Sequence, residues 1–275
     1  MNRTQATGPA RTSTLEVPGA TLHYEVRGEG PLLAMVGAPM DARAFAPLAD
    51  LLAADHTVVT TDPRGIHRSI VADPAQDSTP ELRADDLARL LTHLDVGPAA
   101  VFGSSGGAVT ALAMAQSHPG LVDTVVAHEP PLDELLEDPA ASHARTEQII
   151  ATYLAGDVPG AWRMFLHQAG IWLPDEVFQA AFGSPRDRQQ AADEHFWFAR
   201  ELRHTTRWRP DLDTLRSGPV RVVVGIGVDS AGQLCDRTSR ALATALAVAP
   251  VSFPGDHTGF VDDPAGFADR LREAL

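Results

Sequence analysis

A serine flanked by glycines is the first feature of this chain with the chemistry of a nucleophile. Gly103-Ser104-Ser105-Gly106-Gly107 has the pattern G-x-S-x-G centred on Ser105. It lies between an apolar run that predicts a buried strand, Ala99–Phe102, and a small-residue segment that predicts a helix, Gly106–His118. On such a sharp turn the hydroxyl projects clear of the backbone, and we expect a positive φ at Ser105. The alternative is a glycine-rich turn that binds phosphate.

A serine hydroxyl needs a base within hydrogen-bond reach. The chain has 11 histidines, and His257 is distinguished by following the last predicted strand, Val248–Phe253. Loops after parallel strands meet at one edge of a sheet, the edge where Ser105 is expected. The sequence therefore predicts His257 as the base, with an ordinary surface imidazole as the alternative.

The base needs a carboxylate that holds its tautomer. Asp229 follows the predicted strand Val220–Gly225 and so lies at the same edge of the sheet. The resulting chain order of serine, acid and histidine is that of one known fold. We therefore favour Asp229 as the acid.

Composition excludes several other chemistries. All 22 basic residues are arginine, so a lysine Schiff base, a Ser-Lys dyad and a lysine-bearing phosphate loop are excluded. A net charge of -14 argues against a nucleic-acid partner or an anionic membrane. The single cysteine, Cys235, can form neither an internal disulfide nor a zinc cage. It is expected on a helix, Gln233–Leu246, away from the three loops of the site. No spacing suggests a metal.

Apolar runs of strand length alternate with amphipathic helical segments, which predicts an α/β fold with a mostly parallel eight-stranded sheet and helices on both faces. The predicted strands are Leu15–Val17, Leu22–Val26, Leu32–Val36, His56–Thr61, Ala99–Phe102, Leu121–Ala127, Val220–Gly225 and Val248–Phe253.

One stretch contains no convincing strand. We predict a disordered tail over residues 1–14, a core over 15–130 and 219–275, and a helical insertion over 131–218. This insertion holds many of the aromatic residues. Four of them are assigned to substrate binding: Trp162, Trp172, Phe196 and Trp197. The alternative is that they only form the insertion's own small core.

The chain resembles the α/β-hydrolase superfamily from Leu15 to Leu275. Asp62–Ser69 resembles the family's D-x-R-G-x-G-x-S loop, with His67 in place of a glycine. Gly37-Ala38-Pro39 resembles its oxyanion loop, with Val36 where the family usually has histidine. The resemblance implies that Ser105 attacks an acyl carbonyl and that the backbone N–H groups of Ala38 and Gly106 hold the oxyanion.

The same resemblance bears on the remaining residues of the site. Some family members place the acid after the strand Leu121–Ala127, which makes Glu129 the alternative to Asp229. The insertion falls where the family carries its cap. Just beyond the oxyanion loop, Met40 and Asp41 are assigned to substrate binding, although Asp41 is also a good N-cap for the helix that follows. Arg64 is interpreted as structural, tying its loop to a neighbouring carboxylate.

These observations favour a serine hydrolase, without cofactor, that acts on a small ester, lactone or thioester with an apolar body. One alternative is acyl transfer, elimination or cyclisation by the same triad on a biosynthetic intermediate. Another is a ligand-binding protein with a vestigial triad. The polar N-terminus lacks the apolar core of a signal peptide, which indicates a cytoplasmic location. A homodimer is one option for the oligomeric state, which the sequence leaves open.

Overall fold

The computed structural model of the protein describes residues 10–95 and 97–275. Its strands form one sheet in the order β1-β2-β4-β3-β6-β7-β8-β9, with β5 paired to β2. From β4 to β9 along this order the pairing is parallel, while β1, β4 and β5 pair with β2 antiparallel. The strands are β1 (Arg11–Val17), β2 (Ala20–Arg27), β3 (Leu32–Val36), β4 (Thr57–Thr61), β5 (Ile70–Val71), β6 (Ala99–Ser104), β7 (Val122–His128), β8 (Arg221–Gly227) and β9 (Val251–Phe253).

Helices cover both faces of this sheet, so the predicted fold class is confirmed. They are α1 (Ala42–Leu52), α2 (Pro80–Leu94), α3 (Gly106–Ser117), α4 (Pro139–Leu154), α5 (Val158–Ala169), α6 (Asp175–Phe182), α7 (Arg188–Phe196), α8 (Leu202–Thr206), α9 (Leu212–Ser217), α10 (Leu234–Leu246), α11 (Gly259–Asp262) and α12 (Pro264–Ala274). A 3₁₀ turn, Asp133–Leu135, precedes α4, and a π-helical turn, Trp197–Glu201, joins α7 to α8. No helix among the described residues is long and apolar enough to cross a membrane.

Two features of the sheet differ from the sequence prediction. Within residues 10–95 and 97–275 the sheet has nine strands rather than eight, because Ile70–Val71 pairs with β2. Two residues are too few to show a strand period. The predicted tail is wrong over residues 11–14, which belong to β1 and pair with β2 in full register. Residues 1–9 of that predicted tail lie outside the described residues.

Local sequence explains how the elements next to the site begin and end. All five residues of β3 are buried, as the continuous apolar run predicted for a strand covered on both faces. The Thr79 side chain caps α2 by accepting a hydrogen bond from the Leu82 amide, with Pro80 in the first turn. Asp41 caps α1 in the same way, accepting from the Arg43 amide. It therefore takes the N-cap role that the sequence offered as an alternative to substrate binding.

The described residues between β7 and β8 contain helices and turns and no strand; residues 133–217 are called the insertion below. Its aromatic side chains pack mainly against one another. The cluster comprises Ile149, Ile150, Tyr153, Ala161, Trp197, Phe198 and Leu202, with Trp162 and Phe165 against it. Most of the aromatic residues therefore build the insertion's own core, as the alternative interpretation held.

A fully buried carboxyl group makes the stability of the fold depend on pH. Asp133 is 0 % exposed, and neither of its carboxylate oxygens has a hydrogen-bond partner in the described structure. Burial raises its pKa from 3.8 to about 7, against the opposing effect of the nearby Arg145 and Arg237 guanidinium groups. The folded state therefore holds a proton that the unfolded state releases between these two pH values.

The contribution of Asp133 to stability is accordingly expected to fall as the pH rises from about 4 to about 7, by up to about 4 kcal/mol at about 1.4 kcal/mol per pKa unit. Asp133→Asn removes this titrating group, so the free energy of unfolding of the wild type, minus that of the variant, should fall as the pH rises across this window. Urea unfolding at several pH values measures the difference. Asp123→Asn, at an exposed position on β7, is the matched control and should follow the wild type. A wild-type slope retained in Asp133→Asn would contradict the assignment.

Candidate active site

The turn between β6 and α3 has the geometry of a strained serine elbow. Ser105 has φ +55° and ψ -125°, so the positive φ predicted there is confirmed. Glycine is required on either side, because a Cβ at Gly103 would lie 2.3 Å from the Gly107 carbonyl oxygen, and one at Gly107 would lie 2.0 Å from that of Val36. The absence of these side chains lets α3 start directly against β6 and β3.

Two serines stand side by side in this motif, and the fold separates their surroundings. Ser104 is fully buried, and its Oγ lies 3.1 Å from Nδ1 of His128. Burial lowers the pKa of His128 to about 4, so this imidazole is neutral at ordinary pH. Ser105, in contrast, lines a cavity that His257 also lines; it is called the Ser105 cavity below. Only the second pair faces space that a substrate can occupy.

The structure brings Glu129, and not Asp229, to His257. Nδ1 of His257 lies 2.6 Å from Oε2 of Glu129. The other oxygen, Oε1, accepts a hydrogen bond of 2.9 Å from the Gly227 amide. Glu129 is 0 % exposed, so its carboxylate is held on both oxygens behind the imidazole. The pair joins the residue directly after β7 to one in the loop that follows β9.

The preference for Asp229 is wrong on this geometry. β8 continues to Gly227, beyond its predicted end, and Asp229 follows in an exposed turn. There its amide donates to the Gly255 carbonyl oxygen at 2.9 Å. The side chain of Asp229 therefore faces solvent, while Glu129 enters the sheet edge directly after β7.

The ion pair shifts the pKa of both partners. Burial alone raises the pKa of Glu129, but the hydrogen bond and charge of His257 lower it to about 2. Burial alone lowers the pKa of His257, whereas the Cys235 sulfur and the Glu129 carboxylate raise it, and the net pKa lies above the ordinary value of 6.5. Glu129 is thus a carboxylate at any ordinary pH, and His257 holds its proton more firmly than a free imidazole.

The two residues predicted to hold the oxyanion lie together at the mouth of the elbow. Ala38 and Gly106 both line the Ser105 cavity. Their backbones are so close that a Cβ at Gly106 would lie 2.4 Å from the Ala38 carbonyl oxygen. Any side chain at Gly106 must therefore push the two segments apart.

This close approach predicts the effect of Gly106→Ala. The added methyl group displaces two candidate N–H donors, and loss of one such donor typically costs about 10²–10³-fold in kcat. We expect a loss of that size in ester hydrolysis, measured as kcat at saturating substrate. Gly120→Ala is the control, because a Cβ there meets nothing within 4 Å. Full activity in Gly106→Ala would show that these amides do not bind the reacting oxygen.

Of the residues assigned to substrate binding, one lines the Ser105 cavity. Trp197 does so, and it also borders a second, outer cavity lined by Met40, Asp41 and Trp162. The assignments of Trp172 and Phe196 to substrate binding are wrong. Trp172 is 76 % exposed and packs edge-on against His167. Phe196 is buried against Gly65, where a Cβ would lie 2.4 Å from its ring.

The Asp62–Ser69 loop is a structural brace beside the site. Arg64 makes a bidentate pair with Asp86, with both distances 2.7 Å, so its interpretation as structural is confirmed. The Asp62 carboxylate accepts hydrogen bonds from the Ala42 amide and from the Arg68 guanidinium. His67, at the position of a glycine in the family's loop pattern, has a positive φ of 52°. Its backbone amide donates a hydrogen bond to the Asp193 side chain of the insertion.

Sequence reasoning missed several residues that line the Ser105 cavity. Cys235 was expected away from the site, yet it lines the cavity together with Ser105 and His257. The first turn of α10 faces the cavity, which no periodicity reveals. The insertion contributes further lining residues whose types carry no sequence signal: Thr146, Gln168, Leu202, Thr205 and Thr206.

The fold, the serine elbow and the buried Glu129–His257 pair define the class of α/β hydrolases. Residues 30–162 match the family described as alpha/beta hydrolase fold. The chain is 32 % identical over 275 residues to an uncharacterized hydrolase, YraK, of Bacillus subtilis, with 95 % of each chain covered. The protein therefore belongs to the α/β-hydrolase family and is an enzyme of hydrolase type.

One further relative and one solved structure of similar fold carry more specific names. A zearalenone hydrolase of Bionectria ochroleuca is 28 % identical over 274 residues, which cover 95 % of this chain and 96 % of the relative. The solved structure of Est816, described as an N-acyl homoserine lactone degrading enzyme, superposes with a TM-score of 0.70 at 20 % identity. That superposition covers 96 % of this chain and 100 % of Est816, and it shows the shared fold.

Proposed function

We propose that the protein is a serine hydrolase that cleaves a small ester, lactone or thioester through an acyl-enzyme on Ser105. One observation carries the proposal: a strained serine and a histidine line one cavity, and a buried carboxylate lies 2.6 Å behind that histidine. This is the constellation that activates a serine hydroxyl.

In the first step, Oγ of Ser105 attacks the acyl carbon and Nε2 of His257 takes the serine proton. The carbonyl oxygen becomes an oxyanion, which the N–H groups of Ala38 and Gly106 stabilise. When the tetrahedral intermediate collapses, the bond to the leaving oxygen or sulfur breaks and His257 protonates the leaving group. The products are an acyl-enzyme and an alcohol or thiol; in a lactone, the alcohol stays attached to the acyl chain.

In the second step, water attacks the acyl-enzyme while Nε2 of His257 takes its proton. Collapse releases the carboxylic acid and returns the proton to Ser105. Glu129 acts throughout by accepting the Nδ1–H hydrogen bond, which leaves Nε2 free as the acceptor. Its negative charge also stabilises the imidazolium that forms in each step.

The walls of the Ser105 cavity support a small substrate with an apolar body. Apolar side chains from the insertion form much of the wall: Phe165, Ala169, Ile171, Trp197 and Leu202. The insertion thus acts as a cap over Ser105. The name of the relative, a zearalenone hydrolase, further supports hydrolysis, and a lactone is a substrate of the type that the description of Est816 names.

The test is to trap the acyl-enzyme. A nitrophenyl ester should give a burst of nitrophenol close to the enzyme concentration, with the acyl group found on Ser105 by mass spectrometry of the quenched protein. An organophosphonate should label the same residue. If neither reagent modifies Ser105, the proposed nucleophile is wrong; if the protein also hydrolyses no ester, the triad is vestigial. If an added alcohol, rather than water, receives the acyl group even when dilute, the reaction is acyl transfer.

A further inference from the structure

Two residues that line the insertion side of the Ser105 cavity each carry a polar atom that the described structure leaves unpaired. Oε1 of Gln168 and Oγ of Thr206 are both shielded from solvent, and neither has a hydrogen-bond partner in the described structure. Both residues line the cavity that contains Ser105 and His257. Because an unpaired buried polar atom costs stability, each of these two calls for an explanation.

The orientation of the Gln168 amide is fixed by its other end. Its Nε2 donates to Oγ1 of Thr146 at 3.1 Å and to the carbonyl oxygen of Ser142 at 3.5 Å. A carbonyl oxygen can only accept, so the nitrogen must face α4. Oε1 therefore points away from α4 and remains a free acceptor.

The hydroxyl of Thr206 lacks the hydrogen bond that other helical threonines of this protein make. Thr92, Thr110 and Thr152 each donate to the carbonyl oxygen four residues earlier. Thr205, the neighbour of Thr206, accepts a hydrogen bond of 2.9 Å from Arg83. Thr206 has neither kind of partner, although only 4 % of the residue is exposed. Its O–H is therefore a free donor.

The charge of the cavity limits which group can satisfy these atoms. Apart from His257, the described residues that line the Ser105 cavity include no Arg, Asp or Glu. A carboxylate or phosphate on the substrate would therefore be buried there without a counter-ion. A neutral hydroxyl both donates and accepts, which matches one free acceptor and one free donor.

We propose that Gln168 and Thr206 form a subsite for a neutral hydroxyl group on the acyl portion of the substrate. The substrate class is then an ester or lactone of a hydroxylated, otherwise apolar acid. This inference rests on the proposed function, since it assigns a specificity to the same Ser105 chemistry. A subsite built to hydrogen-bond a hydroxyl discriminates strongly against the analogue that lacks it, because its polar atoms stay unpaired.

The experiment compares matched nitrophenyl esters of linear acids, in which a terminal hydroxyl replaces a terminal methyl, over a series of chain lengths. For at least one length the wild type should prefer the hydroxyl ester by about tenfold or more in kcat/KM. Gln168→Met and Thr206→Val should each reduce this ratio about tenfold. Gln148→Met, at an exposed position on α4, is the matched control and should retain the ratio.

A second measurement separates a subsite from a structural role. Thr206→Val removes an unpaired buried hydroxyl with little change in shape, so the melting temperature of the substrate-free protein should rise. A fall would show that the hydroxyl supports the fold and would overturn its assignment. Equal kcat/KM for both members of every pair would overturn the subsite while leaving the proposed function intact. Failure of every ester, methyl and hydroxyl alike, would instead contradict the proposed function.

Discussion

Glu129→Gln is expected to lower kcat/KM for ester hydrolysis by about 10⁴-fold, the size of effect seen when a triad histidine is held in the wrong tautomer. The change keeps the geometry: Oε1 of the new amide can still accept from the Gly227 amide, as Glu129 does at 2.9 Å. Its nitrogen then faces Nδ1 of His257 and donates to it. The imidazole must carry its proton on Nε2, where it can no longer accept one from Ser105. Steady-state kinetics with a nitrophenyl ester measure the loss.

The same substitution should move the pH profile. His257 must be neutral to act as a base, so activity rises with pH through its pKa. The Cys235 sulfur and the Glu129 carboxylate raise that pKa above 6.5, and the acid limb of kcat/KM in the wild type should lie above this pH. With the carboxylate removed, the limb of the residual activity should shift to lower pH.

Asp229→Asn is the matched control for Glu129→Gln. Each variant neutralises one carboxylate that follows a strand, but the side chain of Asp229 is exposed and that of Glu129 is buried against His257. Asp229→Asn should therefore keep wild-type kinetics and the wild-type acid limb. The reverse result, with Asp229→Asn inactive and Glu129→Gln active, would reject the assignment of the acid.

Ser105→Ala is expected to lower kcat by about 10⁵–10⁶-fold, because the covalent route is lost while the oxyanion donors and the cavity remain. The residual rate should show no burst and no acylated protein. Ser117→Ala, at the exposed far end of α3, is the control and should leave kcat unchanged. Retention of substantial activity in Ser105→Ala would mean that another group attacks the substrate.

Melting temperatures of two Ser105 variants would distinguish a loss of chemistry from a loss of folding. Ser105 has φ +55°, a conformation that favours glycine, so Ser105→Gly should melt at a higher temperature than Ser105→Ala. Both variants should lack the nucleophile equally. An inactive protein that is at least as stable as the wild type excludes unfolding as the cause of the loss.

Patterns within a few residues of one another predicted much of the fold and part of the site. The turn at Ser105 depends on glycines within two residues of it, and α2 depends on its cap and on its own leucine spacing. The continuous apolar run of β3 predicts a strand buried on both faces, and the alternation of strands and helices along the chain predicts that it pairs in parallel. These signals lie within a few residues of the features they predict, which is why Ser105, His257 and the fold class could be read from the sequence.

The partner of His257 depended on contacts between distant parts of the chain. Glu129 and Asp229 both follow strands, and their surroundings in the sequence do not distinguish them. Tertiary structure separates them, since the extra length of β8 carries Asp229 into an exposed turn, whereas Glu129 is buried at the edge beside β8. β8 ends at Gly227, two residues beyond its predicted end.

Which residues line the Ser105 cavity also depends on contacts between distant parts of the chain, because helix packing determines it. The sequence alone determined that an aromatic, helical insertion lies between β7 and β8, that a serine occupies a strained turn, and that lysine chemistry is excluded. It did not determine that Trp172 faces solvent, that Cys235 lines the Ser105 cavity, or that Gln168 and Thr206 line it too and each hold a polar atom left unpaired in the described structure. Which face a helix buries depends on neighbours far away in sequence, so those assignments required the packed structure.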